Sequence, residues 1–557
     1  MDGHLFSVRT SIVVLPMPLL SPPTVPPDPP QPPDPSKRNV VGAAGQVALG
    51  VLSSRLLGFF REMVMADILG AGRGADIFYV AFRIPNMVRE LFAEGAMSTG
   101  FIPVFTQYLT KKSKAEAAGL ARAAFTTLVL ILTTVVGMGI FFAPQIVHWI
   151  APGFSDDPGQ QRLAVTLTRT MFPFLFFISL AALAMGILNS LGRFGPPAFS
   201  SSAFNVVSVA TLLFGFGADP VFVAAVGVTL GGAAQCGVQL PALWREGFSF
   251  SFQRPIWPLH PGVVRMGHLI LPTLLGLSVV QVNLFVNTSL ASTFPDGSVS
   301  FLYYGMRLVH LPLGLFAVAL STALLPTLAM QGAVGEMKSF QDSVSSSLRL
   351  LVFTTVPAMA GLIVLRVPII HLLFEHGAFD AAATAGTADA VLFYAVGLWA
   401  FAGVRVILSA FYAMHDTTTP LKIAVLSMLF NVVLCFALID SLGYRGLALS
   451  TSLSAMFQLF LLSQWLWRRI HSFDWKRFAS SSLRTILATF LSLFPAFWSA
   501  RLPIWHASGI WMTKTAILAC TILFTVSGYF AIQVLMKSEE STHLLTLIKS
   551  KIKNLPS

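Results

Sequence analysis

The 557-residue sequence is 55% hydrophobic and only 11% charged, with a mean hydropathy of +0.74 and a formal net charge of +12. A soluble domain carries about 25% charged residues, so this composition excludes the ordinary soluble classes and reads as a membrane protein with many spans. The basic excess, which in a soluble chain would point to nucleic acid, sits mostly in short loops between apolar runs, and nucleic acid is not an expected partner.

The chain opens on a proline-rich tail, residues 1–38, without the basic start and unbroken apolar run of a signal peptide. Apolar runs of about 20 residues, enough to cross about 30 Å of hydrocarbon, then recur and give about fourteen helices. Six fall at 40–67, 76–109, 119–143, 163–191, 197–217 and 220–243. Six more fall at 261–293, 298–330, 343–372, 386–414, 420–440 and 443–470. A last pair, 482–502 and 511–536, precedes a basic tail at 541–557. The expected fold is therefore an all-α polytopic membrane protein. It has a first lobe at 39–255, a second at 256–475, and two C-terminal helices within 476–540. Basic loop residues such as Lys111, Lys112, Arg193, Arg245, Lys338, Lys422 and Arg469 share one side of this arrangement. Acids such as Asp156, Asp157, Asp219, Asp296 and Asp440 share the other. Basic loops stay on the cytoplasmic side, which places both termini in the cytoplasm.

The lobes repeat each other at a spacing near 224 residues. Phe101-Ile102-Pro103-Val104-Phe105 at the end of the second helix matches Leu324-Leu325-Pro326-Thr327-Leu328 at the end of the eighth. The turn Ala151-Pro152-Gly153-Phe154 echoes His376-Gly377-Ala378-Phe379, Asn205-Val206-Val207 echoes Asn431-Val432-Val433, and Arg83 aligns with Arg307. Six helices per repeat is an even number, so the lobes share an orientation and relate by an axis along the membrane normal. Transporters built this way place their substrate between the repeats.

Helices one, two and eight carry charge where lipid would be. Arg55, Arg61 and Glu62 lie in the first, Arg83, Arg89, Glu90 and Glu94 in the second, and Arg307 in the eighth. A charge at mid-membrane costs roughly 2.5–3.5 kcal/mol, so Arg55, Arg61, Arg89 and Arg307 together demand about 10–14 kcal/mol of compensation. Either they pair internally, with Glu62, Glu90 or Glu94 as partners, or they line a wet cavity. A surplus of guanidinium in a cavity suits an anionic cargo, since its fork binds phosphate in two places and stays protonated. Asp76 reads as a first-turn acid favoured by the helix dipole or as a gate partner for a cavity arginine. Asp416, in His415-Asp416-Thr417-Thr418, reads as a turn or cap residue or as an ion-coupling site. His310 reads as a satisfied core histidine. Cys236, Cys435 and Cys520 stand alone, so no disulfide or metal site is expected. No phosphate loop of the GxxxxGK[ST] type and no HExxH occurs, so neither ATP hydrolysis nor a cofactor is expected.

The run Ser54-Arg55-Leu56-Leu57-Gly58-Phe59-Phe60-Arg61-Glu62 is followed by Gly70-Ala71-Gly72, Phe82-Arg83-Ile84-Pro85-Asn86 and Leu91-Phe92-Ala93-Glu94-Gly95-Ala96. Together with Tyr303-Tyr304-Gly305-Met306-Arg307, these segments resemble the MviN/MurJ family of lipid II flippases, in the multidrug/oligosaccharidyl-lipid/polysaccharide exporter superfamily. The resemblance implies two six-helix lobes around a cationic cavity and a groove for the polyprenyl tail on the last two helices. It implies lipid II as the cargo, carried by alternating access across the inner membrane and driven by Na+ or the membrane potential. Membrane lipids and cell-wall synthesis or division proteins are the other partners it implies. Arg55, Arg61, Arg89 and Arg307 match substrate-binding arginines, and Asp76 and Glu94 match gate residues. Two positions depart from the pattern: Glu90 stands where a second basic residue is common, and His310 where an acid is common. An exporter of another lipid-linked oligosaccharide or anionic lipid is the alternative reading.

Overall fold

The computed structural model describes residues 40–215, 217–252, 259–470, 473–506, 509, 511–542 and 545–546; the side chains of 40–44, 92–96, 98, 275 and 506 lie outside that description. The tail expected at 1–38 and the end of the basic tail, 547–557, fall outside the described residues, as does the Glu94 side chain.

The first lobe opens with α1 (Val40–Leu69) and α2 (Arg73–Arg89), the latter continuing through a π-helical stretch, Glu90–Phe101, into α3 (Ile102–Lys111). It goes on with α4 (Lys114–Phe141), α5 (Ala143–Ile150), α6 (Pro158–Ser190), α7 (Gly195–Phe214), α8 (Pro220–Gly237) and α9 (Leu240–Arg245). The second lobe starts with α10 (Pro261–Ala291) and α11 (Ser298–Pro312), which continues through a second π stretch, Leu313–Val318, into α12 (Ala319–Val334). Then come α13 (Met337–Phe374), α14 (Ala381–Ala395), α15 (Leu398–Ala413), α16 (Thr418–Leu442) and α17 (Tyr444–Ile470). The final helices are α18 (Trp475–Ser492), α19 (Phe494–Ala500) and α20 (Trp511–Leu535).

Many of these starts are written in local chemistry. Ser113 accepts from the Glu116 amide at 3.1 Å at the head of α4, in a Ser-x-x-Glu sequence. Asp157 and Asp219 cap α6 and α8, each followed by a proline that needs no amide partner in the first turn. Asp380 caps α14 and Asp474 caps α18.

Among the described residues, nine helices are long and apolar enough to cross a membrane, or up to twelve if each bent pair is one span. The chain is a multi-pass α-helical membrane protein. The expected count of about fourteen is not reached by apolarity. The described part of α1 and the line from α2 to α3 fall outside the tally, and both carry charges at mid-length. Expected limits shift as well: the ninth span, read as 343–372, runs Met337–Phe374, and the tenth is broken by 43° between α14 and α15. The C-terminal helices pack on the second lobe. Leu365 and Leu372 of α13 bury against Trp505 and Leu518, and Tyr529 of α20 donates to the Phe353 carbonyl at 2.7 Å.

Candidate substrate cavity and gate

The repeat is visible as a seam. α2 of the first lobe faces α11 of the second, and residues 224 positions apart meet across it. Asp76, 4% exposed, accepts from the Ser300 amide at 2.7 Å, from the Ser300 hydroxyl at 2.5 Å and from the Gly297 amide at 2.6 Å. One turn inward, the Tyr79 and Tyr303 rings stack with centroids 3.8 Å apart. One turn further stand Arg83 and Arg307, both lining one cavity. The two π stretches follow at matching places, after Arg89 and after Pro312. π stretches are rare, local and common at functional sites.

Asp76 thus caps α11, a helix of the other lobe, where the amide-rich N-terminus favours an anion. This contact belongs to a set of ties between the lobes at one end of the bundle. The Ala378 amide donates to the Asp67 carbonyl at 2.7 Å, and the Tyr304 hydroxyl to the Gly70 carbonyl at 3.4 Å. In the mirrored place, the Gly153 amide donates to the Ser292 hydroxyl at 3.3 Å, and Gln160 donates to Asp296 at 3.2 Å. The two glycine turns matched in the sequence therefore do the same job: each docks on the loop between the first two helices of the opposite lobe. Both need glycine. A Cβ on Gly153 would collide with the Ser292 carbonyl, and one on Gly377 (φ +53°) with the Asp67 backbone.

Next to these ties lies a cavity of about 470 Å³ between the lobes. Arg83, Arg307 and Arg405 line it, with Glu90 and His310. No ion pair or hydrogen bond holds the Arg83 or Arg405 guanidinium among the described residues. The predicted arginines take four different positions. Arg307 lines the cavity directly, its guanidinium 2.8 Å from the Tyr303 hydroxyl and 3.6 Å from Glu62. Arg61 reaches the same carboxylate from the first lobe at 2.7 Å, and Tyr303 donates to it at 3.1 Å. Glu62 is therefore a clasp between lobes, which realises the internal pairing for Arg61. The clasp is incomplete: the second Glu62 oxygen and the Arg61 Nε are buried without a hydrogen-bond partner. Arg55 stands apart, its guanidinium against Gly314 at the second π stretch. Arg89 donates its Nε to Asn86 at 2.9 Å and lies 3.8 Å from Glu90.

Sequence reasoning left out Arg83 and Arg405 as site residues. The repeat held the signal for Arg83, whose partner Arg307 was selected. For Arg405 it was the burial cost of a lone arginine in Leu398-Trp399-Ala400-Phe401-Ala402-Gly403-Val404-Arg405. His310 is exposed to the cavity, so the core-histidine reading is corrected. Asp416 lies in the connection between α15 and α16. Burial works to raise its pKa, but the Thr419 and Thr418 groups and the Arg469 guanidinium at 2.6 Å outweigh this and hold it well below the usual carboxylate range. No group of three or more His, Cys, Asp or Glu suited to a metal occurs among the described residues.

The family profile described as lipid II flippase MurJ matches residues 65–535. The chain belongs to the MurJ family. A probable lipid II flippase MurJ of Vibrio cholerae is 36% identical over 75% of this chain and 81% of its own length. One from Rhizobium tropici is 32% identical over 87% and 92%. A lipid II flippase MurJ from Burkholderia cenocepacia is 34% identical over 74% and 80%. A solved MurJ structure in an inward closed conformation matches with a TM-score of 0.74 and 25% identity, over 88% of this chain and 98% of that one. An inward-facing multidrug transporter of the MATE family shares the fold, with a TM-score of 0.63 and 13% identity over 77% and 98% of the two chains. The cationic seam thus sits in a MurJ-type pair of lobes.

Proposed function

We propose that this protein is a lipid II flippase that moves its cargo from the cytoplasmic to the periplasmic leaflet of the inner membrane by alternating access. The observation that carries the reading is a cavity between repeats, lined by three arginines and sealed at one end by contacts between the lobes. Both termini lie in the cytoplasm, and the sealed end faces the periplasm. Arg83, Arg307 and Arg405 hold the cargo diphosphate by charge-assisted hydrogen bonds, which are stronger than neutral ones. Arg61 joins them when the anion competes with Glu62 for its guanidinium. Arg55 and Arg89 guide the diphosphate at the cavity's approaches, and the C-terminal helices hold the polyprenyl tail. Opening then requires Asp76 to leave the α11 N-terminus, with Glu94 as the second gate residue. Asp416 caps the α16 entrance, accepting from the Thr418 and Thr419 amides at 3.0 Å, and is the residue at which coupling to Na+ or to membrane potential is to be tested. The chain hydrolyses no ATP and uses no cofactor.

Cells depleted of their own lipid II flippase test this. The native chain should restore growth, and Arg307→Ala and Arg405→Ala variants at matched membrane levels should not. Rescue by every variant would sink the arginine assignment; failure of the inserted native chain would point to another lipid-linked anion.

A further inference from the structure

The cavity has a second pole. Among its described lining residues, Glu90 is the one carboxylate. Its side chain is 31% exposed; its hydrogen bonds come from two neutral amides, and the Arg89 guanidinium stands 3.8 Å away. Asn86 donates to one oxygen at 3.0 Å from its own helix, and Gln281 donates to the other at 2.7 Å from α10 of the opposite lobe. The Gln281 side chain must present its NH2 to a carboxylate, so its orientation is chemically forced. Its carbonyl oxygen is then buried with no donor, although the residue is only 5% exposed. The carbonyl oxygen of Asn283, a cavity residue on the same helix, is also buried without a donor. Arg89 lies 3.8 Å from Glu90, with its Nε directed to Asn86. Beside that guanidinium the corner adds a carboxylate and two unspent carbonyls to a cavity whose other charged lining side chains are arginines.

A purely structural tie between α2 and α10 would not need a charge: a glutamine at position 90 would hydrogen-bond Asn86 and Gln281 without the desolvation cost of a partly buried carboxylate. A carboxylate beside unspent carbonyls suits a group that is all donor and positively charged, with three N–H bonds to distribute. We propose that the Glu90, Gln281 and Asn283 corner recognises a primary ammonium on the cargo headgroup, so that the cavity reads its cargo as a dipole, with the diphosphate at the arginines and the amine at Glu90. The inference rests on the flippase reading. A free alkali cation has related chemistry, and the test separates the two sources.

The full-length protein is reconstituted in vesicles, and transport is followed for lipid II bearing a free peptide amine and for its N-acetylated counterpart, in Na+ and in choline buffer. The native protein should move the free-amine cargo about tenfold faster, in both buffers. Glu90→Gln should bring the ratio of the two rates close to one, and Glu90→Asp should restore part of the preference. A preference that survives Glu90→Gln overturns the assignment, as does an equal slowing of both cargoes, which would mark Glu90 as structural. A requirement for Na+ that Glu90→Gln removes, with no difference between cargoes, would give the corner to a free ion and overturn the amine. Transport of neither cargo by the native protein would instead overturn the flippase reading beneath it.

Discussion

Glu62 concentrates several demands in one side chain. It lies next to Arg61 in sequence, yet it also receives Arg307 and Tyr303 from a helix more than 240 residues away. Removing one partner of a buried ion pair costs roughly 3–5 kcal/mol, because the other charge stays buried and unpaired. Glu62→Ala should lower the unfolding temperature in detergent markedly, and Arg61→Ala combined with it should recover part of the loss; additive losses would show that the two residues act separately. A second residue-scale test lies beyond the last span. Glu539 is held below the usual carboxylate range, first by hydrogen bonds from Arg477 and further by Arg349, with burial opposing. A lowered folded pKa adds stability above the unfolded value of about 4.3, and that stability fades as pH falls through the folded value. The unfolding temperature should hold from neutral pH to about 5 and drop below about 4. Glu539→Gln should flatten that acid limb, as read in a pH series of melting curves.

At the scale of elements, the gate turns offer the sharpest test. Gly377 sits at φ +53° with the Asp67 backbone where a side chain would start. Gly377→Val should keep the gate from closing, shift the population toward a state open at that end, and reduce transport more than tenfold; labelling of a cysteine placed at Ser300 should rise in parallel. Unchanged labelling would show that the turn is not part of the seal. The turns themselves were legible from glycine, proline and their repeat spacing. The π stretches were not. Pro85, Pro103 and Pro312 signal interruption of a helix, but nothing in Glu90–Phe101 distinguishes a widened helix from a kinked one, since that choice depends on what packs on both sides. The charged helices α2 and α11 announced an interior role through the cost of their arginines. Which arginine faces the cavity depends on how each helix is rotated and on what packs against it, and the spacing of the arginines does not give that; Arg83 was legible only through its repeat partner Arg307, and nothing in α1 marks Arg55 as standing apart.

For the whole molecule, ties between lobes crowd at the gate end, where Asp67, Gly70, Asp76, Gly153 and Gln160 all meet the second lobe. Toward the other end, α10 supplies the described ties, through Gln281 to Glu90 and Arg265 to Gln107 at 2.7 Å. A cargo that favours the opposite state loosens the first set, because a ligand shifts an equilibrium only through its differential affinity for the two states. Adding lipid II should therefore speed hydrogen exchange at the Gly297, Ser300 and Ala378 amides while amides of α6 and α15 stay protected. Uniform change across the chain would argue against lobes that rock as units. The two-lobe plan itself was readable because the matches recur in one order at one spacing, and a parallel repeat of even helix number has one geometry. The way the last three helices lean on α13 was not readable, since Leu365, Trp505 and Leu518 carry no pattern that names their partners.

The contact between Asp76 and Ser300 also bears on ancestry. Two identical half-length subunits, paired about the same axis, would have to place like against like at this point. Two aspartates would repel, and two serines would leave the bond without a charge. Joining the halves in one polypeptide lets each copy drift independently, so acceptor and donor can occupy equivalent seats. This latch is thus available only to halves that have ceased to be identical.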